Sequence, residues 1–348
     1  MKMTSPVCLE RNDKDMMDFN MFQEVVKEKI TDYLPPEFEN AEVTVHEVVK
    51  VNRILHSLTV TKPDNPAAPN VYLEKMYDSY RANENLKKSL KEIAKEVVEA
   101  TNHLSENLPV VDDSRFEDNV ILCLVNSTQN EELLKNVPNR SFQDLSVIYR
   151  WVVGMNREGM QSMIVTNSFA ASHGISEREL FRRAVQNTRR ICLPKVCSMQ
   201  EIVAEMMIKD GSPEDLVEAM GVMDQTQPEK TVWVITNQMG LNGAASMLYE
   251  DNLHKLAQKV GTDLYVLPSS IHETIAVSVE MGEPGYLAQM VHDVNMNAVS
   301  LEERLSNNVY HYDKDLRKLE LATDVPEKRL DDVVAEPPLF YEKDGPAR

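Results

Sequence analysis

Val120-Ile121-Leu122-Cys123-Leu124-Val125 is an uninterrupted apolar run of strand length. Such a run, with no polar residue on either face, suits a strand covered on both sides rather than one facing water. It is far short of the roughly 18–20 apolar residues that cross a bilayer, and no other stretch reaches that length. The chain must therefore build a core around strands of this kind, and the segments that flank them supply the cover.

Those segments carry helical spacing. Phe19, Phe22, Val25, Val26, Ile30 and Tyr33 recur every three to four residues, so a helix is predicted up to Pro35-Pro36. Residues 41–62 alternate apolar and polar around Asn52-Arg53, which predicts a hairpin. Three prolines between Lys62 and Pro69 make a loop. From Asn70 one long helix is predicted, with Leu73, Met76, Tyr80, Leu86, Leu90, Ile93 and Val97 on its apolar stripe and Glu84–Lys88 on the other face.

Beyond the Val120 run, a short helix near Glu131–Lys135 and strands at 145–153 and 160–167 are expected, with Asn156–Gly159 turning between them. Ser176 and Glu179 have the spacing of a capping box and start a helix through Ile191; Ser212-Pro213-Glu214-Asp215 starts another. Strands follow at Val232–Thr236, Ala244–Leu248, Leu264–Leu267 and Thr274–Val279, with helices at Glu250–Val260 and Pro284–Asn297 and a closing hairpin from Tyr310 to Leu321. The fold class is α+β, with mixed, mainly antiparallel sheets and packed helices in two or three modules.

With 348 residues, 42% of them hydrophobic, that number of modules matches usual domain sizes. Expected boundaries are a flexible extension over 1–17, a helix–hairpin–helix module over 18–107, a central module over 108–210, a C-terminal module over 211–321 and a disordered acidic tail over 322–348. No secretion signal is expected, since no apolar stretch of signal-peptide type is visible ahead of the first helix. Four scattered cysteines, Cys8, Cys123, Cys192 and Cys197, make no disulfide framework and fit a reducing cytoplasm. A net charge of -19 disfavours direct binding to nucleic acid.

The candidate chemistry is sparse. Ser269, Ser270, His272 and Glu273 supply a hydroxyl, an imidazole and a carboxylate, the parts of a nucleophilic site, with Asn237 or Asn167 as possible helpers. The same letters also describe a turn between antiparallel strands, and position 276, where a zinc-binding His-Glu-x-x-His would need its second histidine, is Ala276. Arg178, Arg182 and Arg189 share one helix face and form a candidate binding stripe for a phosphate or an acidic partner. No metal site and no cofactor are expected, since Cys192 and Cys197 lack paired ligands and no glycine-rich phosphate loop is present. The segments Met163–Asn167 and Trp233–Asn237 both end an apolar strand in Thr-Asn, an echo that ordinary turn chemistry also produces.

Leu264 to Glu273, with its Leu-Pro-Ser-Ser-x-His-Glu core, Met290 to Asn295 and Leu305 to Asp313 together resemble a family of uncharacterised bacterial proteins, common in anaerobic gut bacteria, that bears only a domain-of-unknown-function label. The resemblance runs from about Met17 to Leu321 and implies a cytoplasmic protein without assigned activity. The leading expectation is a non-enzymatic binding or regulatory protein that meets another protein through residues 211–321 and the acidic tail. The alternatives are a hydrolase or transferase at the Ser269–Glu273 cluster, an acidic inhibitor that mimics nucleic acid, and an oligomeric scaffold suggested by 19 methionines.

Overall fold

The computed structural model describes residues 16–65, 68–106, 113–156, 159–209 and 227–323. The helix start expected at Ser212-Pro213, almost all of the extension over 1–17 and almost all of the acidic tail lie outside the described residues. The chain divides into two compact units, one of Met1–Lys50 with Ile54–Val110 and the other of Val51–Arg53 with Val111–Arg348.

The first unit opens with α1 (Phe19–Lys29), capped by the Asp18 carboxylate, which accepts the Met21 N–H at 2.8 Å. β1 (Glu42–Lys50), β2 (Arg53–Thr61) and β3 (Val71–Tyr72) form a three-stranded sheet in that order. α2 (Leu73–Asn83) and α3 (Leu86–Glu106) complete the unit. Phe22 and Val26 from α1, Leu58 and Val60 from β2, and Leu90, Ile93 and Val97 from α3 are buried in one cluster, as the helical spacing requires.

The single helix expected from Asn70 is instead two. Glu84 takes a left-handed conformation at φ 50° and closes α2 by donating its N–H to the Tyr80 carbonyl. Asn85 then restarts the chain, its side-chain oxygen accepting the Lys88 N–H. The Glu84–Lys88 pair cannot form across this break, and Lys88 lies 3.8 Å from Glu92 instead.

In the second unit β4 (Val120–Asn126) is buried along its whole length, as its composition predicts. α4 (Glu131–Asn136), β5 (Asn139–Phe142), β6 (Leu145–Asn156) and β7 (Gly159–Ile164) follow, giving a four-stranded sheet in which β6 pairs with β4, β5 and β7. α5 (Asn167–Ser172) and α6 (Glu177–Ile191) lead to β8 (Pro194–Ser198), α7 (Met199–Lys209) and β9 (Trp233–Asn237). α8 (Glu250–Val260), β10 (Leu264–Leu267), β11 (Thr274–Ser278), α9 (Pro284–Asn297), β12 (Tyr310–Asp313) and β13 (Lys318–Leu321) complete it. The second sheet has the order β13-β12-β10-β11-β9-β8, every pair antiparallel. The fold is thus α+β with mainly antiparallel sheets.

One cluster joins Leu122, Tyr149, Leu180 and Ala184 to Trp233, Leu256, Val266, Tyr310 and Tyr312. Both sheets of the second unit therefore contribute to this shared core, while Leu267, Val277, Leu287, Val291 and Val309 form a second, smaller cluster. The stretches 108–210 and 211–321 each contribute to the shared core.

Three local outcomes depart from the sequence pattern. Gly243–Leu248 is a 3-10 helix, where the apolar residues from Ala244 predict a strand. A short apolar run has no period long enough to separate the two, and tight packing against β9 decides it. β8 carries few apolar residues and is visible only through its pairing with β9. At α6 the Ser176 hydroxyl accepts the Glu179 N–H, but the Glu179 carboxylate pairs with Arg182 and Arg183 rather than completing the box. The reciprocal box occurs at α7, between Ser198 and Glu201, at 2.7 and 3.0 Å. Among the described residues no helix is long and apolar enough to cross a membrane.

Candidate functional site

The Ser269–Glu273 cluster sits at one end of the six-stranded sheet, where β9 and β10 finish and β11 begins. At the end of β9, Asn237 folds the chain back on itself: its side-chain oxygen accepts the Met239 N–H and its Nδ2 donates to the Leu241 carbonyl. Asn242 follows at φ 52°. Gly243 is packed so closely that a Cβ there would lie 2.3 Å from Thr236 Oγ1 and 2.4 Å from the His272 carbonyl oxygen. Only glycine allows this loop to lie on the end of β9.

A second strand of chain, around Glu303–Ser306, holds the Pro268–His272 segment in place. Ile271 donates its N–H to the Glu303 carbonyl, Leu305 to that of Ser269 and Ser306 to that of Pro268, at 2.8 to 2.9 Å. Ser270 is buried, and its hydroxyl accepts the His272 N–H at 3.0 Å. Thr236 Oγ1 donates to the His272 carbonyl. Ser269 is half-buried, and Glu273 points to solvent.

The His272 ring is 24% exposed. Its Nδ1 accepts the Asn242 N–H at 3.2 Å, which places the proton of the neutral ring on Nε2, 3.4 Å from Glu303 Oε1. A general base needs a free nitrogen lone pair within about 2.6–3.2 Å of a hydroxyl. Here the only acceptor nitrogen is occupied by a backbone amide, and the Ser270 hydroxyl serves the backbone of His272 rather than its ring. The structure brings Ser270, His272, Asn237 and Thr236 together as a hydrogen-bonded corner. Asn167 is engaged elsewhere, donating to the Lys135 carbonyl at 3.0 Å.

The arginine stripe on α6 is largely paired. Arg182 meets Glu179 through two hydrogen bonds. Arg189 forms two bonds with Asp251 at 3.2 and 3.3 Å, and its guanidinium lies 4.4 Å from the Tyr249 ring centre. Arg178 is exposed. Carboxylates thus occupy two of the three guanidinium groups that an incoming phosphate would need.

Cys123, Cys192 and Cys197 are buried thiols outside any disulfide. Burial pushes the Cys123 thiol up to about 12 and that of Cys192 to about 11, so neither is a nucleophile near neutral pH. No group of three or more His, Cys, Asp or Glu that could hold a metal ion occurs among the described residues.

A family model described as "Family of unknown function (DUF5688)" matches residues 19–314. The chain belongs to this family. No curated protein and no solved structure matches the chain. Within this DUF5688 chain, the Leu305–Asp313 segment that carries part of the sequence resemblance has a structural task. Ser306 Oγ and Asn308 Nδ2 donate to one oxygen of Asp144, at 2.6 and 3.0 Å, and the Tyr310 hydroxyl donates to the other. Sequence reasoning missed Asp144, Asn242 and Glu303, because each meets its partners only through long-range pairing and none stands in a recognisable motif.

Proposed function

We propose that this is a non-enzymatic bacterial protein of the cytoplasm that binds or regulates another protein, using residues 211–321 and the acidic C-terminal tail. The observation that carries this reading is the state of His272, whose acceptor nitrogen is bound to the Asn242 amide and whose other nitrogen faces Glu303. The group best suited to chemistry thereby serves as a strut. Buried thiols accord with a reducing compartment. A net charge of -19 favours partners with basic surfaces and speeds their encounter.

The test is affinity purification of the tagged full-length protein and of a version ending at Ala322, with mass spectrometry of what co-elutes at low and moderate salt. A stoichiometric partner, lost on truncation, is the expected result. Eluates without any specific partner would count against the proposal. Substrate screening with His272→Ala as the control would then examine a hydrolase or transferase at the same corner.

A further inference from the structure

The sheet of the first unit has very unequal edges. β3 is two residues long, whereas β1 runs nine residues from Glu42 to Lys50 and, among the described residues, pairs with β2 alone. Among the described residues, no other backbone hydrogen bond links Glu42–Lys50 to another element. β1 contains no proline or glycine, and five of its residues are β-branched: Val43, Thr44, Val45, Val48 and Val49. Proteins usually blunt an edge of this length, because its unpaired amides and carbonyls template pairing with another chain.

The side chains of β1 say which chain. Val43 and Val45 pack toward the core of their unit, while Glu42, His46, Glu47 and Lys50 are exposed. An antiparallel copy of the same strand, related by a two-fold axis through His46, sets Glu42 against Lys50 of the copy, and Lys50 against its Glu42. The same register sets Val43 against Val49 and Thr44 against Val48, and pairs all nine residues. Moving the axis to Glu47 sets two like carboxylates face to face, and moving it to Val45 leaves Lys50 without a partner. Facing side chains in an antiparallel pair lie about 4.5–5.5 Å apart at Cβ, close enough for both ion pairs. Lys50 is exposed, and its ammonium, which lies 5.5 Å from the Tyr72 ring centre on the β3 side, exchanges that ring for Glu42 of the copy.

We propose that β1 is a homodimerisation edge, joining two copies of this chain into one continuous six-stranded sheet across a two-fold axis at His46. The proposal does not depend on the partner protein proposed above, since the purified chain alone is the sample.

The experiment is light scattering and sedimentation of the full chain from about 1 to about 100 µM at low salt, where surface charge is least screened. Wild type gives twice the chain mass at the upper concentrations. Glu42→Lys alone and Lys50→Glu alone each set like charges opposite one another twice, weakening association by about tenfold or more. The double variant, Glu42→Lys with Lys50→Glu, restores the ion pairs with reversed sense and restores the dimer, which also shows that neither change acts by unfolding. A monomer at every concentration overturns the proposal. So does a dimer that the single reversals leave unmoved, or a double variant that stays dissociated.

Discussion

The Tyr310 hydroxyl donates to the Asp144 carboxylate across 166 residues of sequence. Tyr310 is fully buried and stacks on Phe142, so its hydroxyl has no water to turn to. Burial, followed by the nearby Asp144 charge, raises the tyrosine far above its usual range and keeps it a donor. Asp144→Ala removes the acceptor of Tyr310, Ser306 and Asn308 together. The expected cost is about 2–4 kcal/mol of stability, because a buried donor is left unsatisfied. Urea unfolding measures it as a lower midpoint at constant slope; a midpoint within error of wild type would show that the network contributes nothing.

Gly243→Ala is expected to destabilise by about 1–3 kcal/mol, since the added methyl meets Thr236, the His272 carbonyl and the Asn237 amide at once. Two of those neighbours are backbone and cannot rotate away. A melting temperature equal to that of wild type would mean that the loop shifts without cost.

Glu84→Gly is expected to do the opposite. Glu84 holds φ 50° at the end of α2, a conformation that costs an L side chain but not glycine. A gain of about 0.5–1 kcal/mol in chemical denaturation is the predicted outcome. A loss would show that the Glu84 side chain matters more than its backbone.

Glu177 links stability to acidity. Burial acts to raise its carboxyl, but hydrogen bonds from Arg140 and Tyr149 outweigh it and hold the group below its ordinary value. A carboxyl lowered in the folded state adds stability above its unfolded value of about 4.3, and that addition is lost as the pH falls through the lower folded value. The stability gap between wild type and Glu177→Gln should therefore be widest near neutrality and close on acidification. A gap that does not vary with pH would contradict the ionic account.

Thiol labelling separates buried from reactive cysteine. Cys123 and Cys192 should resist a maleimide or iodoacetamide at pH 8 in the folded protein and react fully in denaturant, with peptide mass spectrometry reading each site. Rapid labelling of either in the native state would show that its cover opens.

At several elements a period or a cap made the fold legible in the sequence. Val120–Val125 became a wholly buried strand, and the α6 start at Ser176 and the Gly261 stop after α8 lie where local chemistry put them. The break at Glu84 was not legible, because no glycine or proline marks it. The 3-10 helix at Gly243 was hidden for another reason: its conformation is imposed by close packing against Thr236 and against the His272 carbonyl, which arrives from a loop distant in sequence. The same holds at the candidate site. Ser270 and His272 announce a turn, but the Asn242 amide and the Glu303 carboxylate that fix the imidazole arrive from other loops.

The shared core of the second unit bears on how the chain is made. β4 and β6 leave the ribosome early, yet their cluster includes Tyr310 and Tyr312, and the β5–β6 turn holds the acceptor for Tyr310. An emerging chain must keep a nearly all-apolar strand out of aggregates until the last hairpin has been synthesised. Contacts so far apart in sequence also slow closure. Expression of this protein should therefore respond to chaperone supply and to growth temperature more sharply than its size alone suggests.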